Sequence, residues 1–365
     1  MHCNPQQVER FVKILNIPDV VVPWLDRFFE APEVALIDMI GDGTADLQKI
    51  TDRWKQAASL PLPTPMEPFL DRCIRRGIIN RRRDGTYEVT TFSVRYDIWA
   101  LFEGWMDVPE AVVHKINDLE MAKYVVDTAD QIEALKNGLH PDVSKRWPAY
   151  ILLNEADRLV DLAEHVYLWP CNCRLMMKRC RRPVYTCVRF SNARGLGWEL
   201  SKTRAKSIIA EANRSGLMQS GEIALTAEGS FTGAICNCCT DCCYPHQLAE
   251  RVDARQLFPL TRYTARRLKD RCTLCGRCVK RCPFGAFEIV RPSETDASSG
   301  PQKSNGKKRG IDIVFDSRLC RGCGLCSTTC PEEAIKMVRL PGVKAPWEAR
   351  LLNVHPPARQ STGSG

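Results

Sequence analysis

Through the first hundred residues, apolar positions recur at helical spacing in short runs, each closed by glycine or proline. Residues 8–30 follow a helical pattern that Pro18 and Pro23 break. Val34 to Gly41 reads as a helix ending at its glycine. DLQKITDRWKQAA, after Thr44, puts Leu47, Ile50 and Trp54 on one face, and MEPFLDRCIRRGII gathers Phe69, Leu70, Cys73 and Ile74 on another before Gly77 closes it. The period then changes. In NRRRDGTYEVTTF, Tyr87 and Val89 alternate with polar residues beyond an Asp84-Gly85 turn signal, which predicts a hairpin. Residues 94–165 return to helical spacing, with Asn154–Val166 amphipathic, and SKTRAKSIIAEANRSG predicts a helix from an N-cap at Ser201 to a stop at Gly216. Residues 292–310 are polar and of low complexity, which predicts a mobile loop, and the tail after Trp347 is expected to be disordered. No apolar run approaches the roughly eighteen residues of a membrane span.

Helix, helix, helix and hairpin over about residues 31–93 resemble a winged helix-turn-helix. That resemblance implies a scaffold for protein contact or for DNA.

Cysteine changes the picture. The run CTLCGRCVKRCPFGA from Cys272 returns as CRGCGLCSTTCPEEA from Cys320, both with the spacing C-x2-C-x2-C-x3-C-P. A cubane iron–sulfur cluster needs four converging thiolates, and a loop with cysteines at every third residue supplies three. The fourth, placed before a proline, reaches the neighbouring cluster instead. This spacing therefore predicts one [4Fe–4S] cluster on Cys272, Cys275, Cys278 and Cys330, and a second on Cys320, Cys323, Cys326 and Cys282. Structural zinc usually takes paired C-x2-C knuckles, and disulfide frameworks belong to small secreted domains. Leu274, Phe284 and Leu325 beside the loops would limit water and lower the potential.

Charge follows the cysteines. Residues 1–165 carry 19 Lys and Arg against 27 Asp and Glu, whereas residues 166–365 carry 33 against 16. A basic half suggests nucleic acid, but a four-thiolate cubane is itself an anion. Arg271, Arg277, Lys280, Arg281, Arg318 and Arg321 beside the loops would offset that charge. The start, MHCNPQQVER, shows no export signal, and 19 cysteines point to a reducing, oxygen-poor cytoplasm.

The last eighty residues resemble the bacterial two-cluster ferredoxins, which implies a duplicated hairpin-and-helix unit with strands at Leu260–Tyr263, Phe287–Val290, Ile311–Phe315 and Ile335–Val338. Cys171, Cys173, Cys180 and Cys187, followed by Cys236, Cys238, Cys239, Cys242 and Cys243, form a second cysteine-rich stretch. Three readings stay open for them: one or two further iron–sulfur clusters, zinc or another metal, or redox-active thiols. Cys171-x-Cys173-Arg174, the I-C-N-C-C segment and the two cubane motifs together resemble a group of ferredoxin-like proteins from anaerobic microbes, over about residues 31–345. The group is described as iron–sulfur electron carriers; here Thr240 and Asp241 stand where its pattern often has glycine. Cys73, on an apolar helix face, reads as a core residue, and Cys3 as idle.

No phosphate loop, dinucleotide fingerprint, nucleophile elbow or H-E-x-x-H motif occurs, so nothing names an organic substrate. The expectation is a multidomain α+β chain: a helical, winged-helix-like part at 1–165, a cysteine-rich segment at 166–256, a ferredoxin-like domain at 257–346 and a tail at 347–365. The function expected is electron relay through two or more [4Fe–4S] clusters between a low-potential donor and a partner reductase. The alternatives are an oxidoreductase subunit with a substrate-binding cluster in the middle segment, or a redox-sensing DNA-binding regulator. Arg72, Arg75, Arg76 and Arg81–Arg83 would be the phosphate contacts of the regulator. Against it stand the acidic balance of that part and a helix poor in base-reading side chains.

Overall fold

The computed structural model describes residues 5–57, 60–104, 108–139, 147–291 and 311–352. Contacts divide the chain into two units: the first comprises 1–127, 170–180 and 192–197, and the second 128–169, 181–191 and 198–365.

The first unit begins with α1 (Pro5–Leu15), short α2 (Leu25–Phe28) and α3 (Ala31–Ile40). Glu30 and Glu33 cap α3 reciprocally, the Glu30 N–H donating to Glu33 Oε2 at 2.8 Å. β1 (Thr44–Ala45), α4 (Leu47–Ala57), α5 (Met66–Arg75), β2 (Ile79–Arg81) and β3 (Tyr87–Val89) follow, close to the expected positions, and the strands pair antiparallel in the order β1-β3-β2. Leu36, Ile37, Ile50, Trp54, Leu70 and Cys73 are buried between these helices, so Cys73 is the core residue its spacing predicts. α6 (Phe92–Ile98) and α7 (Glu110–Lys136) complete the helical stretch.

Fully buried charge ties this unit together. Glu33 is 0% exposed and receives Arg76 Nε at 2.6 Å, and Arg76 also reaches Glu103 at 2.8 Å. Arg95, likewise 0% exposed, donates to Glu103 at 2.9 and 2.5 Å and to the Phe28 carbonyl at 2.6 Å. Buried ions need such partners, because desolvating an unpaired one costs several kcal/mol.

The second unit is built on a sheet absent from the sequence expectation. Its strands are β4 (Pro148–Tyr150), β5 (Tyr167–Pro170), β6 (Tyr185–Arg189), β7 (Trp198–Glu199), β8 (Met218–Leu225) and β9 (Phe231–Cys238). They run in the order β4-β8-β9-β6-β5-β7, with β8 and β9 forming a full-length hairpin. α8 (Leu153–Leu162) and α10 (Lys202–Arg214) pack together in this unit, while α9 (Asn172–Met177) belongs to the first. Ser201 caps α10 as expected, accepting from the Arg204 N–H at 3.2 Å.

After α11 (Tyr244–Arg251) comes a duplicated unit: β10 (Tyr263–Arg267), α12 (Arg277–Arg281) and β11 (Phe287–Val290), then β12 (Asp312–Phe315), α13 (Leu325–Thr329) and β13 (Ile335–Arg339). β10 pairs with β13 and β11 with β12, both antiparallel. Three strands fall where expected, but the first is shifted from Leu260–Tyr263 to Tyr263–Arg267. The cause is tertiary. Leu260 bonds across to Pro148 and Tyr150 of β4, and Arg262 turns inward.

Arg262 is 0% exposed and holds three segments. It donates to the Tyr150 carbonyl at 2.9 Å, to Glu155 of α8 at 2.6 and 3.0 Å, and to Glu348 at 2.6 Å. The tail expectation is corrected here. Glu348–Leu352 form α14, because Trp347 is buried against Arg262 and Glu348 is paired with Arg262 and Arg339. The rest of the tail and the loop at 292–310 lie outside the described residues. No helix among those described is long and apolar enough to cross a membrane.

Candidate metal centres

In the two duplicated loops the backbone takes the same left-handed turns at matching positions: Leu274 and Gly322 at φ 58° and 64°, Gly276 and Gly324 at 71° and 78°. These turns let the chain curl so that cysteines three apart face inward. Glycine is required at 322, where a Cβ would stand 2.2 Å from the Tyr263 carbonyl oxygen.

Two cavities result. One is lined by Cys272, Cys275, Cys278 and Cys330, with Arg267, Arg277 and Ile313. The other is lined by Cys282, Cys320, Cys323 and Cys326, with Phe284, Arg321 and Leu325. Each cavity thus takes three cysteines from one loop and the fourth from the other. The fourth cysteines are fixed alike: Ala286 N–H donates to Cys282 Sγ at 3.4 Å, and Ala334 N–H to Cys330 Sγ at 3.2 Å. Gly322 N–H donates to Cys320 Sγ at 3.4 Å. Four sulfurs around a closed space, with amide donors aimed at them, fit a thiolate-bound cluster, whose negative sulfurs such donors stabilise.

Electrostatics distinguish the cavities. Burial pushes the Cys323 thiol up to about 12 and raises Cys326 and Cys278. A bare thiol there keeps its proton, so metal binding must displace it. Arg321 is buried beside Phe284, its guanidinium 5.8 Å from the ring centroid, and burial lowers its pKa. At the other cavity Arg267 bonds Asp312 at 2.6 Å and reaches Cys272, an arrangement the sequence reading missed. Of the expected counter-charges, Arg277 and Arg321 line cavities. Arg318 is instead paired with Asp316 at 2.7 Å, and Arg281 donates to the Asn213 carbonyl. Cys275 is exposed, whereas Cys323 and Cys326 are buried.

The middle cysteines divide between the units: Cys171, Cys173 and Cys180 belong to the first, and Cys187, Cys236, Cys238, Cys239, Cys242 and Cys243 to the second. Cys187 lies opposite Cys236 in the β6–β9 pair, and Cys238 Sγ lies 3.2 Å from the Ser220 hydroxyl. Cys239 and Cys242 have their Sγ atoms within 4.8 Å of one another. His246 lies on α11, buried, with its ring nitrogens 3.4 Å from the Tyr150 hydroxyl. Tyr150 escaped the sequence reading altogether. A Pro-Ala-Tyr triplet carries no motif, and only pairing of β4 with β8 brings it to the cysteines.

Known proteins match this chain in its C-terminal part. Residues 271–334 match the 4Fe-4S dicluster domain. The chain is similar to NADH-quinone oxidoreductase subunit I 2 of Streptomyces coelicolor, 30% identical over 81 residues, which are 22% of this chain and 41% of that protein. It is also similar to Ferredoxin-3 of a Nostoc species, 28% identical over 64 residues, 18% of this chain and 66% of the relative. A third relative is pyruvate synthase subunit PorD of Methanothermobacter marburgensis, 32% identical over 71 residues, 20% of this chain and 60% of that subunit. The chain spans from 41% to 66% of these relatives' lengths. Its C-terminal part is ferredoxin-like, of the 4Fe–4S type.

Proposed function

We propose that this chain is an iron–sulfur electron-transfer protein that relays single electrons between a low-potential donor and a partner reductase. Cys272, Cys275, Cys278 and Cys330 hold one [4Fe–4S] cluster, and Cys282, Cys320, Cys323 and Cys326 hold the other. The observation that carries this reading is the pair of four-thiol cavities, each closed by a cysteine from the opposite loop. Bound clusters would supply one-electron redox chemistry. The protein's part is to exclude water with Phe284, Leu325 and Ile313, to donate amide hydrogens to sulfur, and to balance charge with Arg267, Arg277 and Arg321.

The exposed Cys275 marks the edge where an external partner docks. Residues 266–281 around it carry seven Lys and Arg against the single Asp270. Ile289, 40% exposed, approaches Gly276 of the same loop. A basic rim around a small apolar contact suits a partner with an acidic face.

The three helices and the β1-β3-β2 sheet of the first unit support the winged-helix reading, used here for protein contact. Three of the six arginines that would contact phosphate are engaged internally: Arg76 with Glu33 and Glu103, Arg72 with Glu30 at 2.9 Å, and Arg82 with Glu88 at 2.9 Å. That reduces the charge on offer to a phosphate backbone.

Anaerobic iron and sulfide analysis with EPR of the dithionite-reduced protein tests this reading. The expected result is about eight irons on these loops and the signal of two interacting [4Fe–4S] clusters. A protein that takes up zinc at both loops, or no iron, would refute it.

A further inference from the structure

The two four-thiol cavities differ in the charge beside them. Arg321 is 7% exposed, follows Cys320 in the second loop and lines the cavity of Cys282, Cys320, Cys323 and Cys326. Its guanidinium sits 5.8 Å from the ring centroid of Phe284, which belongs to the first loop, and Nη1 donates to the Arg318 carbonyl at 3.2 Å. Among the described residues Arg321 forms no ion pair. Asp316, just before the loop, is taken by Arg318 at 2.7 Å. Glu250 and Arg255 act on Arg321 from α11 and the turn after it, but they are half exposed and pair with each other at 3.4 Å, so their fields oppose. Buried Arg95 and Arg262, by contrast, each hold a carboxylate, at 2.5 and 2.6 Å.

The other cavity is arranged differently. Arg267, whose side chain is 8% exposed, gives its charge to Asp312 at 2.6 Å, and Arg277 is exposed. A paired cation acts on its surroundings much as a neutral dipole does, and an exposed one is screened by water. Arg321 is neither. An arginine keeps its proton in proteins, and a buried charge without a partner is strongly destabilising. The anion that would satisfy it is the one four thiolates hold.

We propose that Arg321 sets the order in which the two sites fill: its buried, unpaired charge raises the potential of the Cys282, Cys320, Cys323 and Cys326 site above that of the other, so an electron entering beside Cys275 moves inward and is held there. This rests on the electron-carrier function proposed above. The step transfers one electron, the outer site being oxidised as the inner is reduced, and no bond or proton changes hands. An added electron makes a thiolate-bound site more negative, so a fixed cation beside it favours the reduced form. Burial of Cys323 and Cys326 works the other way, because a low dielectric penalises added charge. The same low dielectric strengthens the attraction to a full charge held against the site. Phe284, Leu325 and Tyr150, packed around Cys323, keep water from damping it.

The test is an EPR-monitored redox titration of full-length protein reconstituted anaerobically, comparing wild type with Arg321→Gln and Arg321→Lys. Wild type should show two separate one-electron steps. Arg321→Gln should lower the upper step at least tenfold in its equilibrium constant, about 59 mV, and leave the lower one in place. Arg321→Lys, which keeps the charge, should recover most of that shift. In wild type the upper step should be insensitive to salt while the lower one drifts with it, which reads the same asymmetry should Arg321→Gln fail to load. Coincident steps in wild type, an unmoved upper step in loaded Arg321→Gln, a shift of the lower step instead, an equal shift in Arg321→Lys, or salt sensitivity confined to the upper step would each overturn the inference. Those outcomes leave the carrier reading standing, whereas a wild type with no one-electron step would fell both.

Discussion

At the residue scale the decisive positions are those where chain geometry leaves one side chain possible. Gly322 adopts φ 64° with the Tyr263 carbonyl where its Cβ would be, whereas Gly285, at φ 67°, has open space around it. Gly322→Ala combines a steric clash with left-handed strain and should cost about 2 kcal/mol or more, while Gly285→Ala should cost about 1 kcal/mol, from strain alone. Thermal unfolding of the two variants checks this order, and equal midpoints would contradict it. Cys282 makes a second case. It lies in the first loop but lines the cavity of the second. Cys282→Ala should therefore damage the cluster on Cys320, Cys323 and Cys326 and spare the other, as read by EPR and by iron content falling by up to about four atoms. Selective loss of the Cys272-side signal would refute the crossed ligation.

At the scale of elements, Arg262 joins β4, α8 and α14 by being buried among their acceptors. Arg262→Met leaves Glu155 as an uncompensated charge in a site built for a cation, and Glu348 with Arg339 alone. The expected loss is about 3–5 kcal/mol, measured by denaturant unfolding. The attachment of α14 should also depend on pH. Burial works to raise the Glu348 carboxyl, but Arg339 and Arg262 outweigh it and hold the pKa below its usual 4.5. The stabilisation is then complete above the unfolded value near 4.5 and is lost as pH falls through the lower, folded value. Limited proteolysis of the C-terminal segment should accelerate below about pH 4. Glu348→Gln should already show the faster cleavage at neutral pH, and a pH-independent cleavage rate in wild type would argue against the pairing.

For the whole molecule, charge and cysteine divide along the chain in the same way. On the proposed docking at Cys275, the basic side chains nearby would govern encounter with an acidic partner, so electron delivery should slow as salt rises, since exposed charges are screened within about 8 Å at physiological ionic strength. Arg277→Glu/Lys280→Glu should slow the second-order rate about tenfold or more at low salt and converge on wild type at high salt. Stopped-flow reduction of an acidic acceptor protein measures this, and a rate independent of salt in both proteins would refute the docking face. Lys280 is exposed, which makes it a suitable probe; Arg277 lines the cavity edge, so Lys280→Glu alone provides the control for cluster integrity.

Much of this protein is determined locally. A repeated C-x2-C-x2-C-x3-C-P needs no tertiary information to place eight thiols in two loops, because the spacing and the proline act within a dozen residues. The helices of the first unit and the Ser201 cap are local in the same sense: apolar spacing, a capping hydroxyl and a closing glycine fix them. The six-stranded sheet could not be read in this way. Apart from the β8–β9 hairpin its strands are short and separated by helices and loops, and β4-β8, β9-β6 and β5-β7 pair out of sequence order, so no single stretch of chain carries the whole pattern. The same reason hid the shift of the strand after Leu260, the folding of α14, and the meeting of Tyr150 with Cys238, Cys243 and Cys323. Those outcomes depend on a buried arginine finding two carboxylates 107 and 86 residues away, and on a register that sets Cys187 against Cys236. Sequence spacing determines which residues can bind metal within one loop. Only long-range pairing, through burial and hydrogen bonding between distant segments, decides which loops share a site.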